Sequence, residues 1–145
     1  MDHIEYPLQE VWEKRRDWFE RLAEPENGAY LLGEQSSALV GDIQSAFCAG
    51  AWLAVIILAA AAIDGHLREV EFPNAKGNAQ KLIDQAGGDS RLHSLRKRRN
   101  ALVHVNPTSI AITVEQQWTD RNQLEQEARS AVQLMFEVMY AFPSI

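Results

Sequence analysis

Residues 46–63, AFCAGAWLAVIILAAAAI, contain no charged side chain. A run of this length must either cross a membrane or be covered by protein on nearly every side. Eight of its eighteen residues are alanine, which contributes little to transfer into lipid. Asp42 and Asp64 bracket the run, and no basic flank sets an orientation. The expectation is therefore a buried central helix in a protein without a membrane span. The helix is expected to start with Ser36 or Ser37 as N-cap and to run to about Val70. Ala46, Ala49, Gly50 and Ala54 leave room for a neighbouring helix to approach, and so apolar a helix in so small a protein calls for cover from a second subunit.

The rest of the chain reads as helix as well. Leu8, Val11, Trp12, Arg15, Phe19 and Leu22 lie at helical spacing after Tyr6-Pro7. Residues 23–37, AEPENGAYLLGEQSS, have the Pro, Gly and Asn content of a loop. Asn74 is expected to cap a short helix reaching Gln85, and the glycines of AGGDS stop it. Asp89 or Ser90 then caps a helix that ends near Val105, ahead of Asn106-Pro107. TSIAITVEQQW alternates Ile110, Ile112 and Val114, as one short strand or an extended loop would. Thr119 or Asp120 caps a last helix with Leu124, Ala128, Val132, Met135 or Phe136, and Met139 on one face. The fold class is all-α, a small up-and-down bundle of about five helices forming a single domain over residues 1–145.

Composition narrows the function. The 46% hydrophobic and 23% charged residues are those of an ordinary globular protein. One cysteine, Cys48, gives no disulfide framework and suits a reducing cytoplasm; with four dispersed histidines it offers no zinc pattern. The first residues lack the layout of a signal peptide. A net charge of −6 argues against a general nucleic-acid coat. Yet between Arg91 and Arg99 stand five Lys/Arg, one His and no acid.

Laid out at about 100° per residue, this basic helix puts Leu92, Leu95, Leu102 and Val103 on one apolar face with Arg99 in its middle. Arg98 falls off that face, toward solvent. A guanidinium on a core-facing stripe needs a partner or a cleft, and Asp64 is the candidate partner. Asn100 and His104, four apart, are neighbours on one flank, with His93, Arg96 and Lys97 along it. An imidazole there suits proton transfer near neutral pH. The bland alternative is a solvated basic face, a structural ion pair and a capping histidine. Arg and His at this spacing arise by chance in roughly 0.3 places in such a chain; requiring Asn after the Arg lowers this to about 0.01.

With Arg99-Asn100 and then His104 in place, the sequence resembles the HEPN (higher eukaryotes and prokaryotes nucleotide-binding) family. AVIILAAAAIDGHLRE is similar to that family's long second helix, and LEQEARSAVQLMFEVMYAF to its closing helix. The resemblance covers about 100 of the 145 residues and leaves residues 1–37 unexplained. It implies a HEPN-like, dimerising bundle and a metal-independent endoribonuclease of toxin–antitoxin, phage-defence or RNA-processing systems, with no cofactor. It further implies that Arg99 and His104 are catalytic, that Asn100 orients the phosphate or the His, and that Asp64 positions Arg99. Arg96 and Lys97 flank a phosphate track. The other reading within the family is a non-catalytic module that binds nucleotide or RNA, or partners a nucleotidyltransferase-like protein; an antitoxin is the partner expected for a toxin. A purely structural helical dimer, with Arg99–Asp64 as an interior ion pair, is a third.

One geometric difficulty remains. Arg99 and His104 are about 140° apart on an ideal helix. Either the last turn departs from helix ahead of Pro107, or two subunits share the site. A two-fold homodimer with these helices near its axis is expected.

Overall fold

The computed structural model describes residues 4–25 and 29–141. The described chain is all-α, with no strand. Seven α-helices follow in order: α1 (Gln9–Ala23), α2 (Glu34–Ala49), α3 (Trp52–His66), α4 (Ala79–Gln85), α5 (Ser90–Val103), α6 (Val114–Thr119) and α7 (Arg121–Met139). A π-helical turn, Leu67–Glu71, extends α3.

The uncharged run does not form one helix. It breaks at Gly50, whose φ of +79° places it in the left-handed region. There the N–H of Ala51 reaches the carbonyl of Ala46 at 2.8 Å, and that of Gly50 reaches Phe47 at 3.1 Å. These are the paired bonds with which a helix closes on a left-handed glycine. Gly50 therefore ends a helix and turns the chain, rather than making room for a neighbour. Two residues later α3 begins, and α2 and α3 pack along each other as a hairpin. The far end of the hairpin is closed by Ser36, whose Oγ donates to the Ala62 carbonyl at 3.0 Å. A Cβ on Gly65 would stand 2.9 Å from that Oγ, so glycine permits the approach.

Gly33, not Ser36 or Ser37, occupies the N-cap position of α2, and Ser36 is wholly buried within the helix. Fifteen residues of α3 span about 22 Å, short of a bilayer's apolar core. Among the described residues no helix is long and apolar enough to cross a membrane.

α3 packs against α2, α5 and α7. Its Val55, Ile56, Ala59 and Ala62 are completely enclosed, so most of its apolar surface is covered within one chain. α7 faces it with Leu124, Ala128, Val132, Met135, Phe136 and Met139, all buried, as their spacing predicts. From α1, Phe19 joins Phe47 and Phe136 in the core. Trp12 and Leu8 are exposed instead of lining that face, and so is Val103 on α5.

Other boundaries also move. Asn78, not Asn74, caps α4 through a bond from the Lys81 N–H. The alternating TSIAITVEQQW is not a strand, because Thr113 and Gln116 form a reciprocal capping box that starts α6. Asp120 precedes α7 without a side-chain cap bond.

The hairpin turn is gripped from outside. Arg15 donates to the Cys48 carbonyl at 3.2 Å, and Arg121 to that of Gly50. Glu5 pairs with both guanidinium groups, which stand over the Trp52 ring. Burial raises the pKa of the neighbouring Cys48 thiol, partly offset by Arg15 and Arg16. Gly50→Ala forces a left-handed alanine whose Cβ strikes the Glu5 carboxylate. The expected cost is about 1–2 kcal/mol, read in thermal or urea unfolding as a lower midpoint with an unchanged denaturant slope.

Candidate RNA-binding and catalytic site

Asp89 starts α5 by accepting the Arg91 N–H at 2.8 Å. The same carboxylate takes the Arg91 guanidinium at 2.9 Å, and these bonds hold Asp89 below the usual aspartate range. Arg91 also reaches Glu137 of α7 at 2.8 Å, and its own pKa is raised by the two acids. One turn on, His93 meets Asp84 of α4 at 2.8 Å.

Arg98 is half-buried and paired instead of lying free in solvent. Its Nε lies 2.6 Å from Glu127 of α7, and its Nη1 donates to the Ala111 carbonyl at 3.1 Å. It thus ties α5 both to α7 and to the segment that follows α5. Arg91, His93 and Arg98 are in this way matched by acids from neighbouring elements.

Arg96, Lys97 and Arg99 are different. No carboxylate among the described residues lies within ion-pair distance of any of them. Lys97 is exposed, and Arg96 and Arg99 are half-buried. Arg96 Nε is closed to water and has no hydrogen-bond partner. Arg99 donates to the side-chain oxygen of Asn100 at 3.1 Å. The expected Asp64–Arg99 pair is absent, because Asp64 accepts from Arg68 Nε at 2.8 Å, one helical turn along. The i,i+4 spacing of Asp64 and Arg68 is the sequence signal for that pair. With Asp64 held by Arg68, the expected interior Arg99–Asp64 bridge does not form.

Asp64, Arg96, Arg99 and Asn100 nevertheless share one cavity of about 400 Å³, bounded by α3, the π-turn, α4 and α5. Arg68 and Glu69 of the π-turn and Gln35 of α2 complete its polar rim. The π-turn is itself anchored by His66, fully buried, whose Nε2 lies 3.2 Å from Glu71.

His104 stands outside that cavity. α5 ends at Val103, and His104 has extended dihedrals, φ −113° and ψ 109°, with its N–H on the Asn100 carbonyl at 2.9 Å. The last turn is thus helical through Val103, and only His104 leaves the helix ahead of Pro107, so the ideal helical angle no longer fixes the direction of its side chain. His104 is exposed, within a stretch whose Val103, Val105, Ile110, Val114 and Trp118 are also exposed.

No group of three or more His, Cys, Asp or Glu among the described residues is placed to hold a metal ion. No family model, curated protein or solved structure matches the chain.

The division of α5 is testable by stability. Arg98→Ala is expected to cost about 1–2 kcal/mol through its charged hydrogen bonds. Lys97→Ala should stay within about 0.5 kcal/mol of wild type. Both are read by urea denaturation.

Proposed function

We propose that this chain is a HEPN-like, metal-independent endoribonuclease, with Arg99, Asn100 and His104 as its catalytic residues and Arg96 and Lys97 as contacts to the RNA backbone. The observation that carries the reading is the unequal neutralisation of α5. Neighbouring acids match three of its basic side chains and leave Arg96, Lys97 and Arg99 for an anion. Those three flank Asn100, and His104 follows at the helix end.

The chemistry needs what these side chains offer. A ribose 2′-hydroxyl attacks the adjacent phosphorus, forming the 2′-O–P bond while the P–O5′ bond breaks. His104 takes the 2′ proton, and a proton is returned to the departing 5′ oxygen. Arg99 stabilises the equatorial oxygens through its planar fork of N–H donors. Asn100, bonded to Arg99, orients that fork. The product ends are a 2′,3′-cyclic phosphate and a 5′-hydroxyl. DNA, without the 2′-hydroxyl, is not cut by this route.

A two-fold homodimer belongs to the proposal, with the exposed apolar residues around His104 as its supporting feature. A toxin–antitoxin or phage-defence setting, with an antitoxin or nucleotidyltransferase-like partner, follows from the resemblance. The second reading is a non-catalytic HEPN module that binds RNA or nucleotide. It is favoured by the position of His104 outside the cavity that Arg99 and Asn100 line.

Cleavage of a mixed-sequence RNA with EDTA present separates the two. Wild type is expected to cut, and His104→Ala to be slower by about 10²–10⁴-fold. Equal rates would remove His104 from the mechanism, and binding without cleavage in wild type would favour the second reading.

A further inference from the structure

The cavity beneath Arg99 holds chemistry that phosphate binding does not use. Cations attract phosphate, whereas a carboxylate repels it, yet Asp64 forms part of the cavity wall. Its Oδ2 is held by Arg68, and its Oδ1 has no hydrogen-bond partner. Arg96 lines the same cavity, and its Nε–H is also unpartnered. Both atoms are out of water's reach as the side chains stand, so hydration does not satisfy them either. The Asp64 side chain as a whole keeps 37% of its surface exposed. Its χ2 torsion is broad, so rotation about it leaves the unpartnered Oδ1 able to meet a ligand.

Between these polar groups the walls are apolar, formed by Ala60 and Ala61 of α3, Ile83 of α4 and Leu95 of α5. A cavity of about 400 Å³ with apolar walls and a few polar groups at its edge suits a flat, small ligand. A nucleobase has that form, with apolar faces and a polar edge.

The polar pair discriminates among bases. A carboxylate accepts and does not donate. Guanine presents two adjacent donors to it, N1–H and the N2 amino group, while adenine and cytosine turn a ring lone pair toward it. Uracil has one donor, flanked by carbonyl oxygens. A guanidinium in turn matches the O6 and N7 acceptors of guanine. The geometry points to this cavity as a base subsite selective for guanine, seating the base of a nucleotide whose phosphate lies on Arg99 and Asn100. The inference deepens the proposed reading of α5 as an RNA site and rests on it.

The test is calorimetric titration of the full chain with the four ribonucleoside 3′-monophosphates and with inorganic phosphate. The guanosine nucleotide is expected to bind about tenfold or more tightly than the other three. Asp64→Asn should bring all four within about twofold of one another, with inorganic phosphate bound at least as tightly as by wild type because a nearby negative charge is gone. Ala61→Leu, which puts bulk into the cavity and removes no polar group, should also level the four nucleotides, and it carries the test if Asp64→Asn does not fold. Four equal affinities in wild type, or a guanine preference that survives in folded variants, overturns the subsite. RNA cleavage without guanine preference removes the subsite and keeps the nuclease. Guanine-selective binding by a protein that cuts no RNA keeps the subsite and removes the nuclease.

Discussion

The left-handed turn at Gly50 is the constraint on which the other elements depend. A helix apolar on all sides has to be covered on all sides. Folding the run into α2 and α3 lets the chain supply much of that cover itself. Contacts are made at both ends of the hairpin, by Ser36 on Ala62 and by Arg15 and Arg121 on the turn carbonyls. α7 and α5 then pack on the exposed sides of α3. Because α5 is seated there, its basic side chains meet acids from α4 and α7, and a cavity forms over the C-terminal half of α3.

That seating converts a uniform basic helix into two populations of cations. Arg91 and Arg98 fasten α5 to α7, while Arg96, Lys97 and Arg99 meet no carboxylate among the described residues. In the proposed reading, an acidic protein with a net charge of −6 would gain a local anion site in this way, since Coulomb attraction at close range is little opposed by distant charges in physiological salt. Arg99 and Asn100 belong both to this flank and to the cavity, and His104 lies beyond the helix end. The proposed chemistry requires His104 to meet a phosphate that Arg99 also holds, which the extended backbone at His104, or a second copy of the chain, would have to provide.

Much of the helical content is legible in the sequence because it follows from local rules. The α7 face, the Asp89 cap and the stop of α5 before Pro107 all depend on residues within a turn or two. The break at Gly50 is hidden by its surroundings: a glycine amid alanines in an apolar run carries no turn signature beyond itself. α6 is masked because the period-two alternation at Ile110, Ile112 and Val114 outweighs the Thr113–Gln116 capping box. At the site, helical geometry suggests that Arg99 faces its neighbours, and the side chain is half-buried beside a cavity whose other walls come from α3, the π-turn and α4. The fate of Arg98 does not follow from helical geometry, because Glu127 and the Ala111 carbonyl come from elements whose packing no periodicity reveals. For Asp64, helical geometry suggests the distant Arg99, while an equally suitable arginine stands four residues away.

The central claim is that α5 offers an anion three of its cations and withholds the rest. The most direct measurement is the salt dependence of binding to a single-stranded RNA, whose logarithmic slope changes by about 0.7 for each phosphate that a side chain no longer neutralises. Lys97→Gln is predicted to flatten the slope by about that amount per copy of the site, whereas Arg91→Gln leaves it unchanged. Equal flattening by both variants, or none by Lys97→Gln, would contradict the account.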